Sequence, residues 1–152
     1  MTAEATIEKA ALFKGLSQSE LAAVLKLARA HTFTAGETVF AEGGYGDNVC
    51  LLVKGMIRIE LSVGDSSEAA TVHRFSAGQV FGEMALADRR NRSAAATCET
   101  DCEVVAIPCS DLLSLFDSSP EIGYRAMKNL AQILATRLRK TNSQLVSTFL
   151  WE

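Results

Sequence analysis

Between residues 31 and 108 the chain changes its period, and that change limits the folds open to it. The stretches "HTFTAGETVF", "NVCLLVKGMIRIELSV", "AATVHRF" and "CEVVAIP" are rich in β-branched and aromatic residues. Gly36, Gly43, Gly44, Gly46, Gly55, Gly64 and Gly78 interrupt them at fairly regular intervals. Short strands between evenly spaced turn signals predict an antiparallel sandwich or barrel. "MIRIELSV" alternates, with Ile57, Ile59, Leu61 and Val63 on one face and Arg58, Glu60 and Ser62 on the other. "GDSSE" reads as a polar hairpin tip.

Helical segments flank this block. Ser17 and Glu20 have the spacing of a capping box, followed by Leu21, Val24, Leu25 and Ala28 on one face. Ile7, Ala11 and Leu12 predict a shorter helix before it, ending near Gly15. After the block, Ser110 is expected to cap a helix through Phe116. Ser118 with Glu121 suggests a second capping box, and Pro120 suits an early helical position. From there to about Thr148 only Gly123 breaks the helical composition, which predicts about 45 Å of helix. Met127, Leu134, Thr141 and Thr148 recur every seven residues, with Ala131, Leu138 and Leu145 as the companion series. An amphipathic helix lying on the barrel would explain this pattern, as would a coiled-coil seam. The length favours the seam, and hence a homodimer.

The chain has 152 residues, 48% hydrophobic and 22% charged, with a net charge of −3. One domain spanning 1–152 is expected, with N-terminal helices at 1–30, the strands at 31–108 and C-terminal helices at 109–152. The acidic balance argues against DNA, and three arginines at 89, 90 and 92 are too few to reverse it. The N-terminus lacks the pattern of a secretory signal, and no apolar run is long enough to span a membrane. Cys50, Cys98, Cys102 and Cys109 lack metal-site spacing. Cys98 and Cys102 flank a tight hairpin and can approach each other, but reduced thiols in a cytoplasmic protein are expected. His31 and His73 have no second metal ligand at a useful spacing, so no metal is expected.

The chemistry concentrates in "FGEMALADRRNRSAA", residues 81–95. Gly82 permits close approach of another group to the backbone. "EMAL" reads as one helical turn whose first N–H groups suit an anion. Arg92 can donate two parallel hydrogen bonds to a phosphate. Glu83 needs donors, such as sugar hydroxyls. The ordinary alternative is a surface Glu–Arg pair worth about 0–1 kcal/mol.

This stretch resembles the phosphate-binding cassette of the cyclic-nucleotide-binding domain family. Phe81, Gly82 and Glu83, the short helix Met84 to Leu86, and Arg92, Ser93 and Ala94 match; Asn91 stands where proline is common. "LFKGLSQSEL" and "AGETVFAEGGYGDNVCLLVKG", with Asp47 and Gly55, extend the resemblance over nearly the whole chain. It implies an α+β, mainly β fold: an eight-stranded antiparallel β-roll, jelly-roll-like, with N-terminal helices and a long C-terminal helix. It also implies that Glu83 accepts from a ribose 2′-hydroxyl. Arg92 and the N–H groups of Ala85 and Ser93 would face a cyclic phosphate, and His73 and Phe75 would wall the purine. Thr141 and Asn142 would reach the adenine across a dimer axis, favouring cAMP over cGMP, although the Ser93 hydroxyl could reach a guanine amino group.

The chain ends at "TFLWE" without the helix-turn-helix of catabolite activators, so the expected output is a protein partner met through the C-terminal helix. A ligand-free interaction module with the same fold is the alternative. An enzyme such as a phosphodiesterase is not expected, because it would need a metal cluster or a poised base.

Overall fold

The computed structural model describes residues 2–64 and 68–150. The hairpin tip at 65–67 and the last two residues of the "FLWE" tail lie outside them. Eight strands form two four-stranded antiparallel sheets. They are β1 (Arg29–Phe33), β2 (Thr38–Phe40), β3 (Asn48–Lys54), β4 (Met56–Ser62), β5 (Ala69–Ser76), β6 (Val80–Phe81), β7 (Ala95–Cys98) and β8 (Cys102–Pro108). One sheet has the order β1-β8-β3-β6 and the other β2-β7-β4-β5. The helices are α1 (Ala3–Lys9), α2 (Gln18–Leu25), α3 (Met84–Asp88), α4 (Cys109–Ser118) and α5 (Pro120–Leu150), with a 3-10 turn at Ala11–Phe13.

Strand β3 shows how the two layers hold together. Its middle is apolar without interruption, and such a run marks a strand covered on both faces. Val49, Leu51 and Val53 pack against the helices together with Val105 and Ile107 of β8. Cys50 and Leu52 point the other way, into the core between the sheets, with Ile57, Phe75, Phe81 and Val104. Strand β4 alternates as expected, but only its first half reaches that core. Ile57 is fully buried, whereas Leu61 and Val63 stand exposed because the β4–β5 ribbon outruns the facing sheet.

The caps divide into those that form and those that do not. Ser17 and Glu20 make the expected capping box on α2. The first N-terminal helix stops at Lys9, Ala10 is extended, and a 3-10 turn carries the chain toward Gly15. Ser110 does not cap α4: that helix starts at Cys109 after Pro108 and runs through Ser118. Ser118 forms no box with Glu121 either. It belongs to α4, and its hydroxyl donates to the Leu115 carbonyl at 3.0 Å. Pro120 is the first residue of α5, where a missing N–H costs nothing.

Helix α5 has 31 residues. Gly123 sits where a Cβ would come within 2.8 Å of the Phe116 Cβ, so the glycine lets α5 close on α4. Ile122, Ala126 and Leu130 are buried, and Ile133 and Leu134 pack at the edge of the same core. Leu134 is therefore partly covered within its own chain. Leu138 and Leu145 remain exposed. All four cysteines are buried free thiols; burial raises Cys50 and Cys98 to about 12.

Candidate functional site

The residues around the cassette enclose a cavity of about 820 Å³. Glu83 immediately precedes α3 and is 4% exposed. The five-residue helix ends at Arg89, which takes a left-handed conformation at φ 56°. The chain then turns back, and the Arg92 amide donates to the Gly44 carbonyl at 2.6 Å while the Gly43 amide donates to the Arg92 carbonyl at 2.8 Å. Those bonds anchor the returning loop against the Gly43–Gly44 turn.

Arg92 is 8% exposed and bonded within the protein. Nη1 donates to the Gly82 carbonyl at 2.9 Å and Nη2 to the Asn48 carbonyl at 2.7 Å. Its guanidinium lies 4.1 Å from the Phe40 ring centroid. Gly82 has φ +70°, and a Cβ there would meet Arg92 Nη1 at 2.7 Å. The group that needs the glycine's open space is therefore the arginine of the same cassette. Arg92 Nε is buried and has no hydrogen-bond partner among the described residues. A buried donor left unpaired costs about 1–3 kcal/mol.

Glu83 also has a partner that the sequence reading missed. Arg137 of α5 forms an ion pair with its carboxylate through Nη1. Nη2 donates to the Val80 carbonyl at 2.6 Å, and the guanidinium lies 4.8 Å from the Phe75 ring centroid. Burial lowers the Arg137 pKa. A signal existed in the sequence: Arg137 continues the stripe of Ala126, Leu130 and Leu134, so a charge closes an apolar face. That placement leads a side chain inward only if something there can accept it.

The cavity brings most of the expected residues together. Gly82, Glu83, Met84, Ala85, Arg92, Ser93 and Ala94 line it from the cassette, His73 and Phe75 from β5, and Thr141 from α5. The His73 and Phe75 rings meet edge to face, with centroids 4.5 Å apart. Burial, then Lys140 and Arg137, lower the His73 pKa, which keeps the imidazole neutral at pH 7. Asn142 is exposed and does not line this cavity, since it lies about 100° around the helix from Thr141. Among the described residues, no group of three or more His, Cys, Asp or Glu could hold a metal ion. No described helix is long and apolar enough to cross a membrane.

Comparison with known proteins agrees with this geometry. The cyclic nucleotide-binding domain model matches residues 30–119, more than half of the chain. The "CRP-like cAMP-activated global transcriptional regulator" of Mycobacterium tuberculosis is 32% identical over 139 residues, which is 91% of this chain and 60% of that protein. "Glutaminase 2" of Bradyrhizobium diazoefficiens is 32% identical over 135 residues, covering 89% of this chain but only 21% of the relative. A solved cyclic nucleotide-binding domain from Methylobacillus flagellatus superposes with a TM-score of 0.85 at 20% identity, over 96% of this chain and 85% of that one. The chain belongs to the cyclic nucleotide-binding domain family. It spans 60% of the length of its M. tuberculosis relative.

Proposed function

We propose that this chain binds a nucleoside 3′,5′-cyclic monophosphate, cAMP in preference to cGMP, and passes the binding event through α5 to a protein partner. The observation that carries the reading is the pairing of Glu83 and Arg92 on one cavity, both buried, with Arg92 Nε unpartnered. The volume falls within the roughly 300–1,000 Å³ of small-molecule sites. In this reading the ligand phosphate accepts from Arg92 and from the backbone N–H groups of Ala85 and Ser93. The ribose 2′-hydroxyl donates to Glu83, sharing that carboxylate with Arg137. The purine lies against His73 and Phe75.

Preference for cAMP rests on Thr141, on a neutral His73, and on likeness to a cAMP-activated regulator. The relay has a physical basis in the Glu83–Arg137 pair, which joins the carboxylate proposed to accept from the ribose to α5. A ligand shifts such an element only by binding one arrangement better than another. Exposed Leu138, Leu145, Val146 and Phe149 supply a surface for a second copy, to which Asn142 would be available. Free thiols agree with a cytoplasmic setting.

A ligand-free interaction module draws support from one observation: Arg137 and two carbonyls already occupy Glu83 and the Arg92 terminal nitrogens. Calorimetry decides between the two. Arg92→Leu is expected to weaken cAMP binding at least about 30-fold. Glu83→Ala should weaken cAMP binding but have little further effect on a 2′-deoxy ligand. A wild-type chain that binds neither cAMP nor cGMP favours the interaction module.

A further inference from the structure

Arg92 is a buried cation, and among the described residues no carboxylate pairs with it. The ion pairs there are Arg58–Glu60, Arg74–Glu99 and Arg137–Glu83. A charge taken out of water normally needs an opposite charge beside it. Arg92 has instead the Gly82 and Asn48 carbonyls, which accept from Nη1 and Nη2 along one edge of the guanidinium. Two bonds on one edge fix a line. The plane can still tilt about that line, so something else must hold its face.

Phe40 lies against that face. Its ring centroid is 4.1 Å from Arg92 Cζ, the shortest cation–ring approach among the described residues. Gly82 makes room for both groups: a Cβ there would meet Arg92 Nη1 at 2.7 Å and Phe40 Cε2 at 3.2 Å. Behind Phe40 stands the fully buried Phe81, with ring centroids 6.1 Å apart. Phe40 reaches this place through an irregularity of its strand. The pairing of β2 with β7 shifts register between Thr38 and Phe40. In a regular strand Val39 and Phe40 would point to opposite faces. Here both pack against the core between the sheets, and Phe40 also lines the cavity. Re-aiming a side chain is what such an irregularity does beside a site.

An aromatic face attracts a cation without cancelling its charge. A carboxylate in the same place would neutralise Arg92 and repel a phosphate. We propose that Phe40 is a positioning residue for anion binding: stacked on Arg92, it sets the tilt of the guanidinium and leaves the full positive charge to the ligand. The proposal rests on the reading above that Arg92 meets a cyclic phosphate. Phe40 acts through Arg92 and not on the phosphate itself. Its effect should therefore exist only while Arg92 is present, and should depend on the ring's electrons as well as on its volume.

Calorimetry with cAMP on the full chain tests this by a double-mutant cycle of Phe40→Leu and Arg92→Leu. Phe40→Leu is expected to weaken binding about tenfold when Arg92 is present, and by no more than about twofold once Arg92 is gone. A second variant carries a trifluorinated phenylalanine at position 40, which nearly keeps the ring's shape but drains its negative face. It should bind about fivefold more weakly than the parent, while Phe40→Tyr should stay within about twofold. Circular dichroism melts check that each variant folds; if Phe40→Leu does not, the fluorinated ring decides alone. A side chain that only fills space gives the opposite pattern. Equal losses from Phe40→Leu in both backgrounds, or full affinity on fluorination, overturn the inference and leave the cassette reading intact. A wild-type chain that binds neither cAMP nor cGMP brings down the cassette reading and this inference with it.

Discussion

The two halves of α5 both carry large apolar side chains, and their surroundings are opposite. Residues 122–134 carry their apolar stripe into the core, where Ile122, Ala126 and Leu130 are 4%, 0% and 3% exposed. Residues 138–150 carry a comparable stripe, yet Leu138, Leu145, Val146 and Phe149 are all more than half exposed. Arg137 stands at the junction and ties the helix to Glu83. An apolar stripe thus has one meaning where α4 and the 3-10 turn pack against it and another where the helix has passed them. The first half anchors the helix. The second is a surface awaiting a cover, and the junction is where a ligand meets both.

The contrast breaks most directly by substitution on either side of Arg137. Leu130→Ala should cost about 2–5 kcal/mol of folding stability, read by urea denaturation, because it opens a cavity in a packed core. Leu145→Ala should cost under about 1 kcal/mol in the same assay at low protein concentration. Equal losses would mean that the outer half is packed in solution. Arg137→Ala is the next largest. It strands the buried Glu83 carboxylate, and the expected cost is about 1–3 kcal/mol, below that of a fully buried pair because Arg137 is 31% exposed. Arg137→Ala should also detach the outer half, seen as faster amide exchange in residues 138–150. Unchanged exchange there would remove Arg137 as the junction.

Smaller effects sharpen the outer half. Leu138→Lys with Leu145→Lys should leave monomer stability within about 0.5 kcal/mol, as for most exposed positions. In sedimentation it should convert any dimer to monomer. A variant that sediments like its parent would place the dimer contact elsewhere or nowhere. Leu134→Lys is a poor probe of the same contact, since Leu134 packs against its own core. The smallest effect is a pH dependence. His73 has a folded pKa below its ordinary 6.5, with burial as the main cause. The unfolded chain therefore binds a proton first as pH falls. Stability contributed by neutral His73 is present above about pH 6.5 and is lost as pH drops through the folded value. His73→Gln should flatten that part of the stability–pH curve. An unaltered curve would assign the dependence to other groups.

Much of the binding region could be read from local pattern. Gly82, Glu83 and Arg92 lie within one short loop, and their residue types state their needs: open space, a donor, an acceptor. Thr141 and Asn142 are adjacent in sequence, but adjacent helical residues point about 100° apart: Thr141 lines this chain's cavity, and Asn142 faces outward, where only a second copy could use it. The Ser118–Glu121 box failed for a related reason. Spacing identifies a possible cap, but α4 kept Ser118 for its own last turn.

What the sequence determined by itself is the set of periods and local geometries. Strand alternation, the α2 cap, the left-handed or crowded glycines and the cassette each depend on residues only a few positions apart. Tertiary structure alone decided which partner each group meets. Arg92 turned to the Gly82 and Asn48 carbonyls, 10 and 44 positions away, and Glu83 found Arg137 54 positions on. It also decided where burial stops along α5. A stripe on a helix records that a surface is apolar; whether it is covered depends on how far the neighbouring α4 and the 3-10 turn extend along it, and no residue of the helix encodes that length.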